Sequence, residues 1–488
     1  MKLGNPIYRH IIKYTGFFGG TQVLNLLAAL VRNKIAAILV GPAGLGFVSL
    51  YNTAVKLLHD STNFGIPMSA VRSIAEAVES DDCDLVRRTV GSIRAWTLLI
   101  AMLGSAGCCL LSPLLSLLFF EDVSRWSDFL WLAPVVALAA VSACELSVLK
   151  GARRLNSVAK QSVINAFGCM IVTLPFLYFF GLAGILPSLL AASLVAAGTV
   201  LWFSLRLFPL RWQESFFRAL HAGRPMVRLG LAFVAAGIFG SLVEFLVRTY
   251  ISQVGSVADV GLYNAGYVLT VTYASVVFMA METDFFPRLS AVNRDSGVSA
   301  FVVNRQVEVT VLLVSPLLVV FMLFLPYVVP LLYSEDFMPV VGMARFGILA
   351  MLMRAVILPM EYLSLAKGRS KIYLLTEGLY DAVAVGCIIG GYHIGGLAGS
   401  GAGLLVAALF NLILDSFVCR LWFGFVFDRP AIIAISLQVP LVVASFFVTS
   451  CTEGVYCWIA GSVLVALSAA FSFFILRRGS GGKNNKSL

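Results

Sequence analysis

The chain has 488 residues, of which 59% are hydrophobic and 12% are charged, and its formal net charge is +10. Soluble domains contain about 45–50% apolar and about 25% charged residues, so this composition excludes an ordinary soluble protein. The mean hydropathy of +0.92 indicates a polytopic membrane protein. Few basic residues cluster away from the apolar runs, which argues against nucleic acid as a partner.

Fourteen apolar runs are long enough to be membrane spans, since a spanning helix needs about 20 mostly apolar residues. They lie near residues 14–40, 46–68, 91–119, 129–149, 158–181, 184–206, 229–254, 260–285, 308–333, 341–364, 372–392, 396–419, 430–450 and 455–476. The first run is too long for the core of a signal peptide, and no small-residue cleavage site follows it, so we interpret it as a retained helix.

The nine cysteines are scattered, mostly inside apolar runs, without the spacing of metal ligands. We interpret them as buried structural thiols, with Cys451 and Cys457 as a pair that an oxidising compartment would join. The sequence therefore predicts no metal site and no cofactor.

The basic residues are distributed very unevenly over the predicted loops. With a cytoplasmic N-terminus, 27 of the 35 basic residues fall in inside segments, and Arg125 alone falls outside. Positive residues prefer cytoplasmic loops, and one missed span would invert every later loop. The asymmetry thus predicts an even number of spans and two cytoplasmic termini. The other seven basic residues lie within spans: Arg32, Lys34, Lys56, Arg94, Arg248, Arg345 and Arg354.

The chain also repeats itself at an offset near 217 residues. "LVR" at 30–32 recurs at 246–248, "NFGIPMSAV" resembles "DFFPRLSAV", and the Lys-Gly pair at 150–151 recurs at 367–368. Six spans separate the copies, and an even number gives both copies the same orientation. We predict an all-α membrane protein with two parallel-repeat six-helix bundles around a central cavity, followed by two extra helices.

The predicted domains follow from the repeat. They are an N-terminal six-helix bundle (1–206), a cytoplasmic amphipathic linker (207–228), a C-terminal six-helix bundle (229–421), two additional transmembrane helices (430–476) and a cytoplasmic tail (477–488).

The first and seventh spans carry cations within otherwise apolar runs. A charge at bilayer depth costs at least about 2.5–3.5 kcal/mol, so it usually faces a wet cavity or a partner. Arg32 ends a polar stripe, whereas Lys34 lies about 200° round the helix and either faces the cavity or snorkels outward. Arg248 is the repeat partner of Arg32, and Glu244, one turn earlier, either neutralises it in a structural ion pair or takes part in ion coupling.

Two further groups of polar residues occur within spans. Lys56 and Asp60 belong to a stripe in the second span that also contains Asn52, His59 and Asn63. In the tenth and eleventh spans, Arg354 and Asp381 are predicted to pair across helices, as a structural bridge or as a proton- or cation-coupling site. Arg94, near the end of its span, is predicted to be an interfacial anchor. Converging cations predict an anionic passenger, and the planar guanidinium favours phosphate.

The motifs "VGPAGLG", "DFFPRLSAV" and "LAKGRSKIYLL" resemble those of the polysaccharide-transport branch of the multidrug/oligosaccharidyl-lipid/polysaccharide exporter superfamily, over roughly residues 10–420. Within that branch the chain resembles Wzx-type oligosaccharide flippases. The resemblance implies two six-helix bundles in the bacterial inner membrane, both termini being cytoplasmic. It also implies transport of undecaprenyl-diphosphate-linked oligosaccharide from the inner to the outer leaflet, through a cationic cavity.

The resemblance implies roles and partners as well. The substrate-binding cations are then Arg32, Arg248, Lys56, Lys34 and Arg354, and the ion-coupling candidates are Asp60, Glu244 and Asp381. The passenger is a lipid-linked anionic oligosaccharide in contact with membrane lipid, for O-antigen, lipopolysaccharide, capsule or exopolysaccharide assembly. A polysaccharide polymerase and chain-length proteins are candidate partners.

Three alternatives remain at this point. Fourteen helices also suit a lipid II flippase. A drug or cation antiporter of the same fold would need an acidic cavity. A membrane glycosyltransferase or polymerase would usually need a large outside loop, and the longest outside loop here has only about nine residues, 120–128. We therefore expect a transporter and not an enzyme.

Overall fold

A computed structural model describes residues 6–80, 82–210, 216–272, 274, 278, 285–452 and 454–481. Within these ranges the chain is helical and contains no strand. Contacts divide it into two units. Unit 1 comprises Met1–Gly261 and Leu332–Ser334, and unit 2 comprises Leu262–Leu331 and Glu335–Leu488.

Unit 1 is built from long helices joined by short turns. They are α1 (Pro6–Thr62), α2 (Ile66–Glu79), α3 (Cys83–Phe120), α4 (Trp126–Gly151), α5 (Leu155–Phe180), α6 (Ile185–Leu207), α7 (Phe216–Ala222) and α8 (Arg224–Val254). Helix α9 (Val257–Tyr267) begins in unit 1 and ends in unit 2. A core of buried Ile, Val and Ala side chains, including Ile66, Ile74 and Ile100, joins α2, α3 and α4.

Unit 2 has fewer and longer helices. They are α10 (Ser296–Leu332, whose last residue belongs to unit 1), α11 (Val340–Ala366), α12 (Ser370–Phe423), α13 (Arg429–Cys451) and α14 (Gly454–Gly481). A core centred on Val307, Val356 and Met360 packs α10 against α11. The last two helices are joined by Gln438, whose amide donates to the Ser472 hydroxyl at 2.8 Å and accepts from Ser468.

The helix lengths agree with the number of spans predicted from the sequence. Among the described residues, nine helical stretches are long and apolar enough to cross a membrane. Three of them have 39, 53 and 54 residues, enough for two crossings each, and they are broken at Gly41, at residues 181–184 and at Gly395–Gly396. Helix α8 and the segment from Val257 provide room for two more. The chain is an all-α polytopic membrane protein with about fourteen spans.

The internal repeat is visible in backbone geometry. Arg154, before α5, has φ −83° and ψ 56°, and Arg369, before α12, has φ −93° and ψ 52°. Left-handed glycines follow at Gly181 (φ 54°) and Gly396 (φ 57°). Both pairs are 215 residues apart, so the structure confirms the repeat in these helices. The Lys-Gly motif, at an offset of 217, is out of register by two residues.

A second pair at the same offset fixes a close helix crossing in unit 1. A Cβ atom at Gly46 would lie 1.8 Å from the Val257 carbonyl oxygen, and one at Gly261 would lie 1.9 Å from the Pro42 carbonyl oxygen. Only glycine allows backbones to approach this closely. The two contacts are exchanged by the repeat, so the start of α9 packs on the second half of α1.

Several predicted boundaries differ from the structure. The second span ends at Thr62 and not at residue 68, because Asn63 accepts a hydrogen bond from the Gly65 backbone N–H and a new helix begins at Ile66. The predicted linker 207–228 contains α7 and the start of α8. Residues 211–215, most of 273–284 and the end of the predicted tail lie outside the described residues. All nine cysteines are free thiols, including Cys451 and Cys457.

Candidate functional site

In unit 1, one carboxylate bridges two cations that lie within spans. The Lys56 Nζ donates to Glu244 Oε1, and the Arg248 Nη1 donates to Glu244 Oε2 at 2.8 Å. Arg248 also donates to the Thr53 hydroxyl at 2.6 Å. The Arg248 side chain is 10% exposed, the Glu244 side chain 25% and the Lys56 side chain 47%. Two positive charges against one negative charge leave a net positive cluster, which we call the Lys56–Glu244–Arg248 cluster.

The cluster forms where the second half of α1 lies beside α8. The i,i+4 spacing of Glu244 and Arg248 predicts their ion pair, and the structure confirms it. Lys56 reaches the same carboxylate because its face of α1 points toward α8. Thr53, one turn before Lys56, was not singled out from the sequence, although its hydroxyl lies on the Arg248 side of the helix.

Asp60 lies at the edge of this cluster. Its carboxylate is hydrogen-bonded to Ser241 and lies within electrostatic range of Lys56 and Glu244. His59 has a buried Nδ1 with no hydrogen-bond partner among the described residues. The predicted stripe of the second span is therefore partly correct: Lys56, His59 and Asp60 line one region, whereas Asn63 lies in the turn that ends the helix.

Arg32 occupies different surroundings from Arg248, although the "LVR" repeat pairs the two. The polar stripe that it ends faces α5: the Asn25 amide donates to the Ser162 hydroxyl at 2.6 Å, and Arg32 acts electrostatically on the Cys169 thiol. Arg32 is half-buried, and no described side chain forms an ion pair with it. Its charge is thus not neutralised by the described part of the chain.

Lys34 is directed away from the Arg32 stripe, as its helical phase predicts. Its Nζ donates to the backbone carbonyl oxygen of Tyr333 at 2.5 Å, in the short segment that clusters with unit 1. A backbone carbonyl satisfies one donor of the ammonium group but does not neutralise its charge.

Arg94 is not the interfacial anchor predicted from its position. It forms a two-point ion pair with Glu145, from Nε at 2.7 Å and from Nη2 at 3.3 Å. The Ser204 hydroxyl donates to the same carboxylate at 2.5 Å. The side chains are 11% and 4% exposed, so this pair fastens α3, α4 and α6 together inside unit 1.

In unit 2, the partner of Arg354 differs from the predicted one. Its Nη1 donates to Glu361 Oε1 at 3.0 Å, two turns along the same helix, and not to Asp381. Asp381 lies within electrostatic range of Arg354. The Asn411 amide also donates to Glu361, at 3.3 Å. The sequence prediction was wrong about this pair because Glu361 was overlooked, although a carboxylate in the apolar helix "LPMEYLS" was itself a signal.

Two more carboxyl groups surround this pair. Glu377 is hydrogen-bonded to Glu361, and Asp415 interacts electrostatically with Glu361, Glu377 and Arg354. Asp415 is 4% exposed, and its Oδ2 has no hydrogen-bond partner among the described residues. Unit 2 therefore contains four carboxyl groups around one guanidinium group, which we call the Arg354 carboxyl cluster: Glu361, Glu377, Asp381 and Asp415.

Comparisons with known proteins bear on both clusters. The family model described as "Polysaccharide biosynthesis protein" matches residues 11–293. Stage V sporulation protein B of Bacillus subtilis is 19% identical over 300 residues, which cover 56% of this chain. The match spans 58% of that relative's length.

The fold is also found among solved structures. The lipid II flippase MurJ, in an inward-closed conformation, superposes with a TM-score of 0.71 at 11% identity, covering 95% of this chain and 99% of that one. An inward-facing multidrug resistance MATE family transporter of the MOP superfamily gives a TM-score of 0.66 at 16% identity, covering 83% and 94%. The bent form of the Vibrio cholerae MATE transporter VcmN gives 0.55 at 14% identity, covering 90% and 99%.

Proposed function

Because this chain belongs to the polysaccharide biosynthesis protein family, we propose that it is a flippase for a lipid-linked anionic oligosaccharide. The passenger is undecaprenyl-diphosphate-linked oligosaccharide, which moves from the inner to the outer leaflet of the bacterial inner membrane. The product serves the assembly of O-antigen, capsule or exopolysaccharide. The protein moves its passenger and catalyses no reaction on it.

The observation that carries the proposal is the excess of positive charge inside the spans of unit 1. Arg32 has no ion-pair partner among the described residues, and Glu244 neutralises only one of Lys56 and Arg248. An isolated cation at bilayer depth costs at least about 2.5–3.5 kcal/mol. A passing diphosphate offsets this cost, and its oxygens match the paired N–H groups of a guanidinium.

Transport follows from the same electrostatics. The two halves related by the repeat alternate between inward and outward access, as in other repeat-built transporters. Arg32 binds the diphosphate directly, and the Lys56–Glu244–Arg248 cluster provides a second positive region. Glu244 keeps that region only weakly positive, so the anion binds without being trapped. Lys34 and Arg354 already have partners, and we assign them smaller roles in binding.

Two other passengers are supported by particular observations. The length and fold shared with the lipid II flippase support a peptidoglycan precursor, whose diphosphate has the same chemistry. The Arg354 carboxyl cluster and the fold shared with a multidrug transporter support a cationic drug. The cations of unit 1 favour an anion over the drug.

The test is complementation of surface polysaccharide in a strain that lacks the flippase, with protein abundance measured on a membrane blot. Arg32→Ala should lose most transport at normal abundance, because a half-buried cation without an ion pair supports little packing. Arg32→Lys keeps the charge but loses the planar fork, so it should retain part of the activity. Lys34→Ala, on the other side of the same helix, is the matched control and should be milder. Full transport by Arg32→Ala at wild-type abundance would contradict the proposal.

A further inference from the structure

We propose that unit 2 is a proton-binding centre, in which Glu361 and Glu377 share one proton and Asp415 holds another. The centre lies between α11 and α12, with Arg354 as its cation. This inference goes beyond the proposed function, because proton binding requires no passenger and no knowledge of which passenger is carried.

The first argument is the contact between two carboxyl groups. The Glu377 side chain is hydrogen-bonded to the Glu361 side chain. An ionised carboxylate can only accept hydrogen bonds, so two ionised carboxylates cannot make this contact. One of the two must carry a proton, as in other pairs of acids that occupy one site. Since Arg354 donates to Glu361, the proton belongs on Glu377, which donates it toward Glu361.

The second argument is the position of Asp415. This side chain is 4% exposed and points into a region that already holds Glu361 and Glu377. Its Oδ2 accepts no hydrogen bond from any described residue. A buried charge without a hydrogen-bonded partner is very costly, whereas a neutral carboxyl group costs much less. The pair of Arg354 with Glu361 leaves no described cation to neutralise Asp415 as well.

The repeat provides an internal comparison, because unit 1 builds the equivalent helices without these charges. At the offset of 215 residues set by the turns before α5 and α12, every member of the cluster has a small or apolar counterpart in unit 1. The counterparts of Arg354, Glu361, Glu377, Asp381 and Asp415 are Ala139, Leu146, Ser162, Ala166 and Val200. The helices therefore do not need the charges in order to pack, which points to a role other than folding.

The arrangement suits protons better than a metal ion. Among the described residues, no three His, Cys, Asp or Glu side chains converge closely enough to hold a metal ion. Arg354 also occupies the place beside Glu361 that a metal ion would need. A proton requires only one or two carboxyl oxygens.

Arg354 can also control where the protons reside. It pairs with Glu361, and Asp381 lies within its electrostatic range. If the guanidinium turned toward Asp381, Glu361 would lose its cation and would need a proton from the aqueous phase. Other titratable groups that interact with the cluster are Tyr373, Tyr380, Tyr267 and Cys419.

The test is infrared difference spectroscopy of the full chain in proteoliposomes, titrated with pH in the absence of any lipid-linked saccharide. At neutral pH the wild type should show the carbonyl band of protonated carboxyl groups, and the band should disappear at alkaline pH. Glu377→Gln and Asp415→Asn should each remove part of it, because an amide imitates a protonated carboxyl group without titrating. Glu335→Gln, the same change at an exposed position of unit 2, should leave the band intact.

Either of two outcomes would overturn the proposal. A wild-type spectrum without a protonated-carboxyl band at neutral pH is sufficient alone, even if a variant fails to fold. Loss of the band on adding sodium at constant pH would show that the ligand is a metal cation. The flippase proposal fails separately, because a normal titration together with an absence of passenger transport contradicts that proposal only.

Discussion

Glu244 gives the most direct perturbation of the Lys56–Glu244–Arg248 cluster. Glu244→Gln keeps the shape and one acceptor oxygen but removes the charge that Arg248 and Lys56 share. Removing one partner of a buried ion pair costs about 3–5 kcal/mol. Glu244 is 25% exposed and the amide still accepts a hydrogen bond, so we expect a smaller loss of about 2 kcal/mol. For a unit of this size that corresponds to a fall in melting temperature of roughly 4–8 °C.

The assay is thermal denaturation of the purified protein in detergent. Glu76→Gln is the matched control, because Arg72 and Glu76 form an Arg–Glu pair of the same sequence spacing at 2.7 Å, with side chains 67% and 62% exposed. Water screens such a pair, so this variant should melt like the wild type. Equal melting temperatures for Glu244→Gln and Glu76→Gln would refute the reasoning that burial gives the Glu244 pair its strength.

The same substitution has a consequence for transport. Without Glu244, the cluster changes from one net positive charge to two. An anionic passenger should then bind more tightly and leave more slowly, so both the half-saturation concentration and the maximal rate should fall. Unchanged values of both would mean that the cluster does not contact the passenger.

Three further predictions concern packing, pH and topology. Gly46→Ala should greatly lower membrane abundance on a quantitative blot, because the new Cβ would lie 1.8 Å from a carbonyl oxygen; Gly91→Ala, where nothing lies within 4 Å, should not, and equal abundance would contradict the crossing. Hydrogen bonds from the Ser124 hydroxyl and backbone N–H lower the pKa of Asp122 below its ordinary value, so its contribution to stability is present at neutral pH and is lost as the pH falls through the folded-state pKa. Melting curves of Asp122→Asn should therefore lie below the wild type at neutral pH and converge with it in acid; a constant gap would argue against this. In a cysteine-free background, an impermeant reagent should label Ser124→Cys but not Ser487→Cys in intact spheroplasts, and the reverse would overturn the topology.

The sequence predicts most of the fold because lipid imposes simple rules on it. Spans must be long and apolar, and basic loops prefer one side of the membrane, so span number follows from counting. Span ends are less predictable. The turn at Asn63 and the extension of α3 back to Cys83 depend on local hydrogen bonds that hydropathy does not report.

The candidate site is predictable only where partners share one helix. Glu244 and Arg248 are four residues apart, so their ion pair follows from helical spacing. The contact of Lys56 with Glu244 depends on which faces of α1 and α8 meet, and a single sequence does not contain that information. The same limit explains the pairing of Arg94 with Glu145, 51 residues away.

The measurement that tests the central proposal most directly is flipping by the purified protein in proteoliposomes. Undecaprenyl-diphosphate-linked oligosaccharide is placed in one leaflet, and its arrival in the other is followed with a membrane-impermeant glycosidase. We predict that the wild type moves this lipid and that Arg32→Ala moves little of it at equal reconstitution. If the wild type leaves the oligosaccharide lipid in place while it moves lipid II or a cationic drug, the proposed function is contradicted.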